Sequence, residues 1–139
     1  MLQLLLAAPS SGSGKTTAAC ALLSALKPAG WSPARSSAGR ITLTPCFTAP
    51  CWGYPATIWT CFSPPPQTVR RLYTSGAAGH GSAVCEGAMG YYDGLGGVSA
   101  AASAWHTADV LDLPVLLVVQ PGGQRDAGRA GKLYYIRGG

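Results

Sequence analysis

Pro9-Ser-Ser-Gly12-Ser-Gly14-Lys15-Thr16-Thr17 follows directly on the apolar run Leu2–Ala8 and leads directly into a stretch with helical periodicity. A strand, a loop of small residues ending in Gly-Lys-Thr, and a helix in that order are what a phosphate-binding loop requires. Small residues let backbone N–H groups close around phosphate oxygens. A lysine reaches the β- and γ-phosphates, and a Ser or Thr hydroxyl holds Mg2+. Ser11, Gly12, Ser13 and Gly14 supply the small residues, Lys15 the charge and Thr16 the hydroxyl. Thr16 and Thr17 stand where the helix begins, so its dipole adds to the attraction for phosphate. The general pattern has Gly where this chain has Pro9. The plainer alternative is a Gly/Ser turn, but the full strand–loop–helix context favours nucleotide binding.

Outward from the loop, Leu2–Ala7 reads as a buried strand. Lys15–Lys27 reads as a helix with Ala18, Ala21, Leu22, Ala25 and Leu26 on one face. Lys27 suits its C-terminus, and Pro28 with Gly30 stops it. Gln67–Ser75 is a second helix candidate, with Val69, Leu72 and Tyr73 as its apolar positions and Gly76 closing it. Ser82–Glu86 reads as a short strand entering a Gly-rich turn, Ser99–Leu111 as an alanine-rich helix, and Pro114–Val119 as a buried strand. Strands alternating with helices imply an α/β fold, a mostly parallel sheet flanked by helices. The 139 residues allow one domain at most.

Two stretches depart from this pattern. Ser32–Pro66 holds Pro33, Pro45, Pro50, Pro55 and Pro64 to Pro66, with Cys46, Cys51 and Cys61, and sustains neither period. The tail, residues 121–139, is rich in Gly and Arg, with Leu133–Ile136 as its strand-like content. Structureless loops of that length are uncommon in a compact domain.

The formal charge of +5 comes from these same stretches. Elsewhere Lys15, Lys27, Arg70 and Arg71 balance Glu86, Asp93, Asp109 and Asp112. The surplus lies at Arg35, Arg40, Arg125, Arg129, Lys132 and Arg137, against Asp126, and forms no folded basic face. We therefore expect no nucleic-acid partner. No apolar run reaches membrane length and Leu2–Ala8 lacks the basic flank of a signal peptide, so a cytoplasmic protein with reduced cysteines is expected. The spacing of Cys46, Cys51 and Cys61 fits no common zinc site.

Ala83-Val-Cys-Glu86-Gly-Ala-Met-Gly90-Tyr-Tyr-Asp93-Gly94 is the second informative block. In a protein with a phosphate loop, a buried strand ending in a carboxylate is where the second Mg2+ contact is expected, and Glu86 stands there. The glycines at 87, 90 and 94 let backbone approach a ligand closely. Asp93 and Gly94 are candidates for the substrate side, with a plain turn role open for Asp93. His80 and His106 have no partner at a telling spacing.

Together, Ala8–Thr17 and Glu86–Gly94 resemble cobyrinate a,c-diamide synthase, a glutamine-dependent amidase of cobalamin biosynthesis in the dethiobiotin-synthetase-like P-loop group. Gly96-Gly97 and Leu113–Val119 are also similar to that family. The resemblance covers roughly residues 1–31 and 63–119. It implies a P-loop fold, ATP and Mg2+ as cofactors, and a corrinoid and glutamine as substrates. It also implies a mechanism in which a corrinoid carboxylate takes the γ-phosphoryl group to give an acyl phosphate, which ammonia from glutamine converts to an amide. Lys15 would neutralise the transferring group, Thr16 and Glu86 would arrange Mg2+, and Gly12 and Gly14 would offer backbone donors.

The family carries Lys-x-Gly-Pro-Asp-Tyr-Ile-Asp-Pro between the two blocks, then a later Asn-Leu-Asp. This chain has neither as written. Read one base earlier, however, codons for Ser37–Pro45 permit Lys-Cys-Gly-Pro-Asp-Tyr-Ile-Asp-Pro, and those for Cys46–Phe62 permit a run ending in His-Asn-Leu-Asp-Leu-Phe. Trp52-Gly53 must hide a Gly and Trp59-Thr60 an Asp, whatever the codons chosen, and both fall where the family has them. Residues 32–62 are therefore expected to be out of frame, inside a partial nucleotide-binding domain of residues 1–120 followed by an atypical tail. The family's C-terminal glutaminase domain is expected to be absent and the chain inactive. A nickel-sirohydrochlorin a,c-diamide synthase, a partitioning ATPase, which would carry a lysine where Ser10 stands, and a non-functional fragment are the alternatives.

Overall fold

The computed structural model describes residues 1–31, 33–38, 56–59, 65–119 and 132–136. Strand β1 (Leu2–Ala7) is apolar except for Gln3, and its buried residues point alternately to the two faces of a sheet. Leu5 and Ala7 pack with Val69, Tyr73 and Ala77 of one helix and Ala104, Ala108 and Val110 of another. Leu4 packs with Leu23 and Leu26, and Leu6 with Ala19, all three from a third helix on the opposite face. A sheet covered on both faces explains why β1 reads as an almost continuous aliphatic run.

The other strands are β2 (Pro33–Ala38), β3 (Ala56–Trp59), β4 (Ser82–Gly87), β5 (Val115–Val119) and β6 (Lys132–Ile136). Their order is β3-β2-β4-β1-β5-β6. All neighbours are parallel except β5 and β6, which run antiparallel with Val115 opposite Ile136. Leu6 of β1 lies opposite Glu86 of β4, so the loop after β1 and the carboxylate ending β4 emerge side by side.

Helix α1 (Lys15–Leu26) covers one face; α2 (Pro66–Ala77) and α3 (Ala104–Leu111) cover the other. The inward stripe of α1 is Lys15, Ala19, Leu23 and Leu26; of the face Ala18, Ala21, Leu22, Ala25 and Leu26 that the helical period suggested, only Leu26 belongs to it. Lys15 fixes the rotation. It opens the helix while facing the loop and sheet, so the residues stacked on it by helical spacing face inward too. Ala21 and Ala25 are exposed. The Trp31 N–H closes α1 on the Leu26 carbonyl at 3.0 Å, with Gly30 at φ 80° making the reversal.

Other expectations also shift. Leu72 is exposed and Ala77 is buried in its stead, and Gly76 lies inside α2 instead of ending it. The alanine-rich helix begins at Ala104, because Ala100–Ser103 form a turn in which the Ser103 N–H donates to the Ala100 carbonyl at 3.1 Å, and Ser103 then caps the helix. Ser32–Pro66, which shows no period, nevertheless contributes β2 and β3. The strand-like Leu133–Ile136 falls in β6. Cys46, Cys51, Cys61, Arg40, Arg125, Asp126, Arg129 and Arg137 lie outside the described residues. Among those described, no helix is long and apolar enough to cross a membrane.

Candidate functional site

The loop after β1 is shaped by its own short side chains. Ser13 Oγ donates to the Ser10 carbonyl at 3.0 Å and shares a 3.0 Å hydrogen bond with Ser10 Oγ. Gly14 caps α1 at φ 84°, a left-handed conformation that only glycine adopts freely, and its carbonyl accepts from the Ala18 N–H at 2.9 Å. The Ser11–Gly12 turn points the Ser13 N–H at the Ser10 carbonyl, while among the described residues none accepts a hydrogen bond from the N–H groups of Ser11, Gly12 and Gly14 through Thr17. These are the orphan donors of a helix start, extended backwards by a glycine-containing loop.

Lys15 belongs to the same loop. Only 6% of its surface is exposed, and its Nζ donates to the Ser10 carbonyl at 3.0 Å, bridging the loop. Burial lowers its pKa below 10.5, while the charges of Glu86 and Asp93 work the other way. Thr16 Oγ1 donates to Glu86 Oε1 at 2.7 Å, joining the start of α1 to the end of β4. Glu86 is 2% exposed. The structure thus brings together Ser11 to Thr17 and Glu86, residues far apart in the sequence.

The loop after β4 is seated on the first one. The Tyr91 N–H donates to the Ala8 carbonyl at 2.7 Å. A Cβ at Gly90 would stand 2.5 Å from the Pro9 carbonyl oxygen, so only glycine allows the two loops this approach. Asp93 Oδ2 accepts the Gly90 N–H at 2.9 Å, which gives this carboxylate a turn-holding role, yet its charge also reaches Lys15. Gly94 packs where the carbonyls of Ser99 and Ala101 would meet any side chain, and the Leu95 N–H donates to the Ala101 carbonyl at 3.0 Å.

Sequence reasoning passed over three contributors. The Ser10 carbonyl, a main-chain group, receives the lysine. Tyr92 and Trp105 lie together in a tilted pair, with ring centroids 6.4 Å apart and 36° between their planes. The paired tyrosines after Gly90 were a visible signal for the first ring; nothing in the sequence announced the second. His106 is occupied locally, its Nδ1 accepting the Ala102 N–H at 3.0 Å.

In this α/β protein a donor-lined loop, an ammonium group and two adjoining side-chain oxygens stand at the carboxyl ends of parallel strands, the edge where such sheets hold their ligands. No protein-family model matches the chain. It is similar to the hydrogenobyrinate a,c-diamide synthase of Mycobacterium bovis, 40% identical over 122 residues that make up 85% of this chain and 27% of the relative. It resembles the enzyme of the same name from Streptomyces coelicolor at 38% identity over 88% of this chain and 25% of that one. The cobyrinate a,c-diamide synthase of Gloeobacter violaceus matches at 36% identity, over 88% of this chain and 27% of its own length. The chain's homologues are therefore a,c-diamide synthases, as its two motif blocks suggested, and it spans about a quarter of their length.

Proposed function

We propose that Pro9–Thr17 is a phosphate-binding loop for ATP and Mg2+, in a P-loop domain of the dethiobiotin-synthetase-like group, and that this domain is the nucleotide-binding part of an a,c-diamide synthase. One observation carries the proposal: unpaired N–H groups, the Lys15 ammonium and the Thr16–Glu86 oxygen pair converge on a single loop. Thr16 Oγ1 and Glu86 offer the hard oxygen donors that suit Mg2+. Gly12 and Gly14 leave stretches of the loop without side chains, so backbone can close on phosphate oxygens.

Bound ATP–Mg2+ supplies the phosphoryl group that activates a corrinoid side-chain carboxylate for amide formation with glutamine-derived ammonia. The chain's own share is positioning and charge stabilisation. Lys15 Nζ would hold a phosphate oxygen and neutralise its charge. The N–H groups from Ser11 to Thr17 would hold the phosphates in place, and Thr16 Oγ1 with Glu86 would hold the cation. Asp93 and Gly94 shape the neighbouring loop, the candidate substrate side. A cytoplasmic setting, with no nucleic-acid partner, fits this chemistry.

We further propose that residues 32–62 are translated out of frame. The acidic run expected there is missing, so the chain as written forms no amide. Resequencing the codons from Gly30 to Gln67 tests this directly: a one-base error supports it, and an active purified chain overturns it.

Nucleotide binding is tested by thermal melts with Mg2+–ATP. Ligand at one hundred times its Kd stabilises the fold by ~2.7 kcal/mol. Lys15→Met should abolish that gain, and Glu86→Gln should remove its dependence on Mg2+. A parent chain whose melt ignores Mg2+–ATP would sink the assignment.

A further inference from the structure

We propose that Tyr92 and Trp105 form a seat for the tetrapyrrole-derived macrocycle of the phosphoryl acceptor, beside the phosphate loop. This rests on the function proposed above and names residues that would hold its second substrate.

The two rings are exposed where a folded domain would ordinarily cover them. Tyr92 is 65% exposed and Trp105 40%, and Met89, three residues before Tyr92, is 49% exposed. Contiguous apolar exposure of this kind marks ligand or partner surfaces, unlike single scattered side chains. Tyr91 and Tyr92 meet edge to face at 4.7 Å and 62°, and Tyr92 faces Trp105 at 6.4 Å with 36° between their planes. The backbone beneath is fixed, because the Tyr91 N–H is held by Ala8 and its carbonyl accepts the Trp105 N–H at 2.9 Å.

Position selects the occupant. The Tyr91 N–H is held by the Ala8 carbonyl and Gly90 packs on Pro9, so the loop carrying Tyr92 lies against the phosphate loop that begins with Pro9 and holds Lys15. Whatever rests on that loop adjoins the transferable phosphate and not the nucleoside. A phosphoryl acceptor must be there. The relatives' names give its chemistry as a carboxylate-bearing macrocycle. Aromatic faces stack on extended π systems, and a thioether adds soft contact. The 36° opening between the rings suits a puckered, partly saturated ring system.

The test uses the full chain with hydrogenobyrinic acid and ATP as separate probes, binding being read from the macrocycle's absorption change and from melts. The parent should bind both. Tyr92→Ala and Trp105→Leu should each weaken the macrocycle about tenfold, a usual cost of losing one stacking ring. Tyr92→Phe should stay within about twofold of the parent. Stabilisation by ATP should be unchanged in all three, and circular dichroism should match the parent because the substituted side chains are exposed. Unchanged macrocycle affinity in both truncations overturns the seat while leaving the nucleotide loop intact. ATP binding without macrocycle binding by the parent, or displacement of the macrocycle by adenosine, does the same. Failure of both probes overturns the seat together with the proposed function.

Discussion

Strands β1 and β2 flank β4 on its two sides, both parallel to it and each matched to nearly its whole length. Their sequences have little in common. Leu-Gln-Leu-Leu-Leu-Ala forms β1; Pro-Ala-Arg-Ser-Ser-Ala forms β2. The first is what a strand inside a parallel sheet requires, since it buries aliphatic side chains on both faces. The second is made largely of residues that strands disfavour. Main-chain pairing can accept either. The burial seen in the first, with Leu5 and Leu6 fully buried, is what its aliphatic sequence calls for.

The sharpest way to test that contrast is Leu5→Ala. Leu5 is fully buried at the centre of β1, and its truncation should cost ~3–4 kcal/mol, read from the urea midpoint. A loss near that of a surface change would mean β1 is not the axis of the core. Next in size is Ser36→Pro. Ser36 sits between Thr57 and Cys85, so a proline removes a ladder donor from an interior strand and should cost ~1–3 kcal/mol. If the melt does not move, β2 adds nothing to stability and the two sides of β4 are unequal in energy as well as in sequence.

Smaller effects calibrate these. Ser103 Oγ caps α3 by accepting the His106 N–H at 3.2 Å, away from β2, and Ser103→Ala should cost ~1 kcal/mol by the same urea measurement. The smallest concerns pH. Burial depresses the folded-state pKa of Lys15 below its ordinary 10.5, so in that window the unfolded chain holds the proton more tightly. Stability contributed by this group therefore rises with pH between the lowered value and 10.5. Lys15→Met should flatten the alkaline rise in Tm; an unaltered slope would place its cause elsewhere.

The comparison also explains what could be read in advance. β1, β4 and β5 were visible because buried parallel strands are aliphatic runs. The meeting of Lys15, Thr16 and Glu86 was legible because Gly-Lys-Thr follows one strand and the carboxylate closes another at the same sheet edge. The inward face of α1 was misjudged because a lysine rarely marks the core side of a helix; here it does, since its amine serves the loop. β2 and β3 were invisible for want of any alternation. Trp105 could not be foreseen as a neighbour of Tyr92, because only the docking of α3 brings them together.

One consequence follows from the donors between Ser11 and Thr17. They are main-chain groups, so only a change to proline deletes one, and no single substitution deletes the array. Drift can erase a lysine or a carboxylate in one step, but the N–H array persists while strand, turn and helix persist. If the loop binds phosphate as proposed, its affinity for oxyanions would survive side-chain changes that end catalysis, and sulfate or phosphate in a buffer would compete for it.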